Sequence, residues 1–278
     1  VRITEFISGP MLTSNNVVTD DRVLIGNMSY QITGMQPFTD KPFATIGNDW
    51  ALPHKILSPK NFTKYTTMAT AIGNKLREDG WKGLFGIDAV YDTQKDDIYL
   101  IEINARQPAS TTYESQLQQK QSSSSGLTTF EAHLLSLLEQ KFKSNLIAIH
   151  NGAQIVQRVM DLSKQNLESV LPKLAAMNLK YLTYTNTDIG SDLLRIQSEH
   201  SFMKGHLEFN PLGRDIQQTM PFGIKLLSNE GLMVLTDYYL LPFPQGAGRV
   251  SCPYFNNRRS KVRAGLRVDG GAGVIRAG

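Results

Sequence analysis

The stretch from Gly83 to Pro108, GLFGIDAVYDTQKDDIYLIEINARQP, limits what this chain can fold into more than any other. Two apolar runs, Leu84–Tyr91 and Ile98–Ile103, flank the polar connection Asp92–Asp97, a pattern that predicts a β-hairpin. Alternation along a strand puts Glu102, Asn104 and Arg106 on one face, behind Ile98 and Leu100, with Ile101, Ile103 and Ala105 on the other. The second strand should be apolar on both sides and turn polar only at its C-terminal end. Pro108 has no N–H to offer a ladder, so pairing should stop before it. Setting Asp88 across from Glu102 places Tyr91 across from Tyr99 and gathers two carboxylates, an amide oxygen and a guanidinium.

Neighbouring buried carboxylates repel and resist ionisation unless a cation compensates them. Oxygen donors from Asp, Glu and Asn suit a hard cation, and Mg²⁺ typically takes one or two carboxylates plus substrate phosphates. An Arg in the same patch fits once anionic oxygens stand between it and the metal. A surface hairpin with a polar end fits the same residues, and spacing alone leaves both readings open.

The run G-x-x-G-I-D followed by Y-L-I-E-I-N-A-R resembles the C-terminal signature of the ATP-grasp superfamily, and the likeness extends from Val1 to the region of Thr128. That resemblance implies an α+β fold, the ATP-grasp C-terminal lobe, in which helices pack on an antiparallel sheet. It implies that Asp88, Glu102 and Asn104 ligate the Mg²⁺ ions (Mn²⁺ as the alternative) that bridge the ATP phosphates. Arg106 would contact the acyl phosphate or the incoming substrate, and Val90 would line the adenine pocket. In VRITEFI, which reads as a strand, the Glu5 carbonyl and the Ile7 amide would hydrogen-bond the adenine. Thr4 and Met11 stand where the family usually carries acids.

The function so implied is an ATP- and Mg²⁺-dependent ligase. It would activate a small-molecule carboxylate as an acyl phosphate for attack by an amine or similar nucleophile. Bicarbonate chemistry of the carbamoyl-phosphate-synthase or biotin-carboxylase kind is an alternative, as is a non-catalytic nucleotide-binding scaffold that kept the fold. The family's upstream half supplies a glycine-rich phosphate loop and phosphate-holding lysines, and neither is found before Val1. The sequence therefore reads as a fragment, inactive alone.

Composition agrees with an ordinary globular protein and excludes other classes. Over 278 residues the apolar content is 41% and the charged content 19%. No apolar run reaches the length that crosses a membrane. Cys252 is the single cysteine, which rules out an intrachain disulfide or a multi-thiolate zinc site and points to a reducing cytoplasm. The net charge of +4 comes from the C-terminal tail, where six basic residues in 258–278 face Asp269 alone. That tail lacks interleaved aromatics, which points away from nucleic acid.

Around the signature, strands are expected near Asn16–Val18 and Arg22–Ile32, and loop over Phe38–Pro53. Ser58-Pro59 caps a helix whose stripe is Phe62, Tyr65, Met68, Ile72 and Leu76, with Gly80 at its end. Residues 109–125 read as loop or weak helix, and Thr128 with Glu131 as a capping box opening a helix over Phe130–Phe142. His54 and Lys55 close a loop, while His133 reads as packing and His150, His200 and His206 lack ligand spacing. From Asn151 the composition renews itself, with strands, a helix over Leu167–Met177 and a further hairpin at 223–241. We therefore expect two domains, residues 1–150 as the ATP-grasp lobe and residues 151–278 as a smaller α+β appendage.

Overall fold

The computed structural model describes residues 5–121, 125–160 and 167–220, together with two short strands, β12 (Leu266–Arg267) and β13 (Arg276–Ala277). The chain divides into two units, Val1–Lys225 and Leu226–Gly278, and in the second β12 and β13 pair antiparallel. The expected hairpin at 223–241 lies outside the described residues.

The first unit opens with β1 (Met11–Val18), β2 (Val23–Leu24), β3 (Met28–Thr33), β4 (Thr45–Asp49), α1 (Leu52–Ile56) and α2 (Pro59–Glu78). The predicted hairpin follows as β5 (Gly83–Asp92) and β6 (Asp97–Asn104), then α3 (Thr111–Lys120) and α4 (Thr129–Leu137). Next come β7 (Ala153–Arg158), α5 (Leu171–Ala176), β8 (Lys180–Thr183) and β9 (Asp192–Ser198). A small ribbon, β10 (Met203–Gly205) with β11 (Glu208–Phe209), precedes α6 (Pro211–Thr219). Nine strands form one sheet in the order β6-β5-β1-β3-β4-β7-β9-β8, with β2 added to β1. Every pairing within it is antiparallel.

One face of this sheet is apolar because period-two alternation puts Leu12, Phe85, Ile87 and Ala89 on the same side. Against them lies α2, whose whole predicted stripe, Phe62 through Leu76, enters the same cluster. Burial of each large side chain there contributes roughly 1.5–3 kcal/mol. The helix starts as expected: Ser58 accepts a hydrogen bond from the Asn61 N–H, and Pro59 takes the first helical position. It stops at Glu78, and Gly80 supplies the left-handed φ of +82° that turns the chain away.

On the other face α3 and α4 cover one end of the sheet, where Ala132 packs with Val17 and Leu84, and Tyr113 and Leu117 with Trp50 and Ile149. The capping box forms as expected at Thr128 and Glu131. The helix that follows is shorter than Phe130–Phe142, ending at Leu137, because Glu139 adopts a φ of +55° that no helix continues through. Inside the expected loop 38–53 the structure has a strand, β4, whose residues pair with β3 on one side and β7 on the other. Gly47 and Asp49 look like turn residues locally, and only these two neighbours make them strand. The change of composition near residue 150 falls inside the sheet: β7 pairs with β4, so the strands of 153–198 extend the sheet begun by 11–104.

Candidate metal and nucleotide site

Antiparallel pairing of β5 and β6 sets Asp88 directly opposite Glu102, Ile87 opposite Ile103 and Gly86 opposite Asn104. Beyond that the register shifts, and Ala89 faces Leu100, Val90 faces Tyr99 and Tyr91 faces Ile98. The expected Tyr91–Tyr99 pair is therefore replaced, because Ile101 is an extra residue bulged out of the ladder. The bulge also corrects the expected faces. Ile98 and Leu100 join the apolar cluster under α2, while Glu102, two residues on, shares the face of Asp88. Ile101 is left 48% exposed, too open to belong to either core.

Asp88 is half-buried and well supplied with donors. Gln31 on β3 donates from Nε2 to one carboxylate oxygen at 2.8 Å, and Asn104 donates from Nδ2 to the other at 3.2 Å. Burial nevertheless raises the Asp88 carboxyl above its ordinary value, opposed by hydrogen bonds from Thr13, Asn104 and Gln31 and by the Arg106 charge. Glu102 is exposed and, among the described residues, carries no hydrogen bond or ion pair. Arg106, also exposed, donates to the Asn104 side-chain oxygen at 3.1 Å. The site thus links β1, β3, β5, β6 and the segment after β6 in one polar patch, and Gln31 and Thr13 are members that sequence reasoning missed. The signal for Thr13 was a strand, MLTSNNVV, that is polar on both faces; Gln31 is a polar residue in the strand MSYQIT.

Whether this patch suits a hard cation can be judged from its donors. Two carboxylates and the Asn104 amide share one face, the amide nitrogen turned to Asp88 and its oxygen to Arg106, and one carboxyl is destabilised by burial in a way a cation would relieve. Among the described residues no three or more His, Cys, Asp or Glu side chains cluster as ligands. The set fits Mg²⁺, which takes few protein carboxylates and completes its shell with phosphate oxygens and water.

Val90 is buried on the Asp88 face, two residues nearer the hairpin turn, opposite Met11 of β1. Residues 5–7 are outside any strand, unlike the expected VRITEFI strand, whose first four residues lie outside the described ones. The segment that follows meets β5 where Gly9 lies against the Tyr91 carbonyl and the Tyr91 N–H donates to the Pro10 carbonyl at 2.9 Å. Glu5 is exposed and lies 3.6 Å from the Lys95 amine, and Ile7 is half-buried.

Below the site, Glu114 of α3 is fully buried and accepts from the Asn15 side chain and from both the main chain and side chain of Asn27 at 3.1 Å. Asn15 shares the Asp88 face, opposite Gly86, and also bonds Ser110 at 3.0 Å. Pro108 crosses directly over Gly86, where a Cβ would come within 2.9 Å of the proline ring. A glycine there lets the 105–110 segment lie flat on the strand and carry Arg106 to Asn104. His133 is packing, as expected: its Nδ1 accepts from the Leu84 N–H at 3.1 Å.

No protein-family model and no curated protein matches the sequence. Solved structures do resemble it. A carboxyaminoimidazole ribonucleotide synthase from Aspergillus clavatus, complexed with ATP, superposes with a TM-score of 0.54 at 16% identity, covering 78% of this chain and 50% of that one. The same enzyme in complex with ADP and 5-aminoimidazole ribonucleotide gives 0.53 at 17% identity, over 76% of this chain and 52% of that one. An N5-carboxyaminoimidazole synthetase from Staphylococcus aureus, complexed with ADP, gives 0.53 at 10%, over 77% and 50%. The chain spans about half the length of these structures. At such identities the likeness shows the fold: a mixed α+β architecture on a large antiparallel sheet, of the ATP-grasp kind.

Proposed function

We propose that the polar end of the β5–β6 hairpin is the Mg²⁺–ATP phosphate site of an ATP-dependent ligase that joins a carboxylate to an amine or similar nucleophile. The observation that carries this reading is the cross-strand pair Asp88–Glu102, with Asn104 and Arg106 bonded beside it. Asp88, Glu102 and Asn104 would hold the metal, Mg²⁺ or in its place Mn²⁺. When bound, Mg²⁺ neutralises the phosphoryl group in transfer.

Asp88 is kept in place by Gln31 and Asn104, so its oxygens stay aimed at the face on which the phosphates lie. The Arg106 fork, tethered to Asn104, matches the oxygens of an acyl phosphate better than a single ammonium does. Toward the turn, Val90 packs on the adenine, and the main chain of Glu5 and Ile7 bonds its edge. The reaction these roles serve has two displacements. A carboxylate oxygen attacks the γ-phosphorus and ADP leaves. The amine nitrogen then attacks the acyl carbon, losing a proton as phosphate departs.

A second reading takes bicarbonate as the activated acid. It is supported by the names of the similar structures, which place a carboxyl group on an amine. A scaffold that binds nucleotide without turnover is the rival from another class. Small molecules are the partners in each case, with no nucleic acid or membrane, in a reducing cytoplasm; no helix among the described residues is long and apolar enough to cross a membrane.

The test is phosphate release from ATP with a panel of carboxylates and amines, with and without bicarbonate and Mg²⁺. Release that needs Mg²⁺, a carboxylate and an amine is expected. Release with bicarbonate and an amine alone selects the second reading. Nucleotide binding without turnover under any condition selects the scaffold.

A further inference from the structure

Far from the hairpin in sequence, two histidines meet that share no spacing pattern. We propose that His54 and His150 form a second metal site, one for a borderline transition ion such as Zn²⁺ or Ni²⁺, independent of the nucleotide site. The His54 Nε2 and the His150 Nδ1 lie 3.3 Å apart. Two imidazole nitrogens bound to one zinc at the usual length, with a tetrahedral angle between them, stand roughly 3.3–3.4 Å apart. The two donors already have the separation a shared ion imposes.

The His54 ring and the main chain on either side of His150 are each held by the surrounding structure. His54 sits on α1 and stacks on Phe62 of α2, with centroids 5.3 Å apart and planes 20° from parallel. Its ring also faces the Ile149 main chain, the residue beside its partner. His150 lies between two anchored residues. The Ile149 N–H donates to Asn27 at 2.8 Å, and the Asn151 side chain accepts from the Gly152 and Ser201 N–H groups at 2.9 Å. The adjoining strand end is fixed too, since the Trp50 N–H donates to the Gly152 carbonyl at 3.0 Å. The edge-on meeting of the two rings, at 72°, therefore needs no reorganisation of main chain to persist with an ion between them.

Among the described residues no carboxylate joins the two histidines in a cluster of three, and imidazole donors select zinc, nickel or copper over magnesium. Both side chains are exposed, so an ion reaches them from solvent and water fills its remaining positions. For both nitrogens to present a lone pair, His150 carries its proton on Nε2; no proton is released and the bond between the rings is replaced by two to the metal. The bound ion would tie α1 to the segment leading into β7, two parts of the chain about a hundred residues apart.

The experiment is calorimetric titration of the protein with Zn²⁺ and with Ni²⁺ at neutral pH, beside thermal melts with each ion. Wild type should bind one ion per chain and melt at a higher temperature with it. His54→Ala and His150→Ala should each weaken binding ~10-fold or more and abolish the shift in melting. His54→Gln keeps a hydrogen-bonding group beside Ile149 and serves if the alanine variant does not fold; it should lose the ion equally. His200→Ala and Glu102→Gln should bind as wild type does, which separates this site from the nucleotide site. Absence of saturable binding, or binding that survives either His54 or His150 substitution in a folded variant, overturns the proposal.

Discussion

Asp88 and Glu102 face each other across β5 and β6, and the next pair along, Ala89 with Leu100, is reached only by leaving Ile101 out of the ladder. That single extra residue lets one strand bury Leu100 beneath α2 and still aim Glu102 at the opposite face, within reach of the partner that the proposed chemistry requires.

Glu102→Gln should lower phosphate release at least ~10²-fold while leaving the melting temperature unchanged or slightly higher. The change keeps the size of the side chain and removes the charge that would oppose the metal. Glu102 is exposed and, among the described residues, makes no hydrogen bond or ion pair that its loss could break. Turnover and thermal melts of the same preparation check this, and near-normal turnover would remove Glu102 from the mechanism.

Gly86→Ala should lower stability and nucleotide binding together. Its Cβ would come within 2.9 Å of the Pro108 ring, so the 105–110 segment must lift and take Arg106 with it. Insertion of a methyl into such a packed contact typically costs about 1–3 kcal/mol. We expect that loss in urea unfolding, together with weaker binding of Mg²⁺–ATP than an alanine at an exposed position would cause.

Asp49→Asn should be among the most destabilising single changes. One oxygen of this buried carboxylate accepts from the Ala51 and Leu52 N–H groups at 3.0 Å. The other accepts from the Ser201 hydroxyl at 2.7 Å and from the Phe202 and Met203 N–H groups at 2.8 and 3.0 Å. An amide places its NH₂ against donors on one side or the other, leaving buried groups unpaired at a cost of at least ~3 kcal/mol. Chemical denaturation measures it, and an unchanged midpoint would contradict the role assigned to Asp49.

Glu114 should make stability depend on pH near neutrality. Burial lifts its carboxyl from 4.5 to about 7, against the pull of bonds from Asn15 and Asn27. Between those values the folded chain holds a proton that the unfolded chain releases. The contribution is therefore fully present below about pH 4.5 and is lost as pH rises through about 7. The swing is on the order of 3 kcal/mol. Denaturation midpoints across that range should fall with pH in wild type and flatten in Glu114→Gln; parallel profiles for the two would sink the assignment.

Local patterns in the chain were enough to specify α2, with its serine cap, first-turn proline, apolar stripe and closing glycine, because each of those signals acts within a turn or two of helix. They were enough, too, for the β5–β6 hairpin and for the polar residues gathered at its end. Sequence alone could not decide the register. Ile98 to Asn104 alternates as well without a bulge as with one, and the choice is made by α2 packing on Ile98 and Leu100 while β5 holds Glu102 opposite Asp88. The same holds for β4, whose TIGND reads as loop until β3 and β7 pair with it on both sides. The bonds that Gln31 and Glu114 make, and the meeting of His54 with His150, join residues far apart in the chain. Such contacts leave no local periodicity to read, because they exist only once the sheet has brought their strands together.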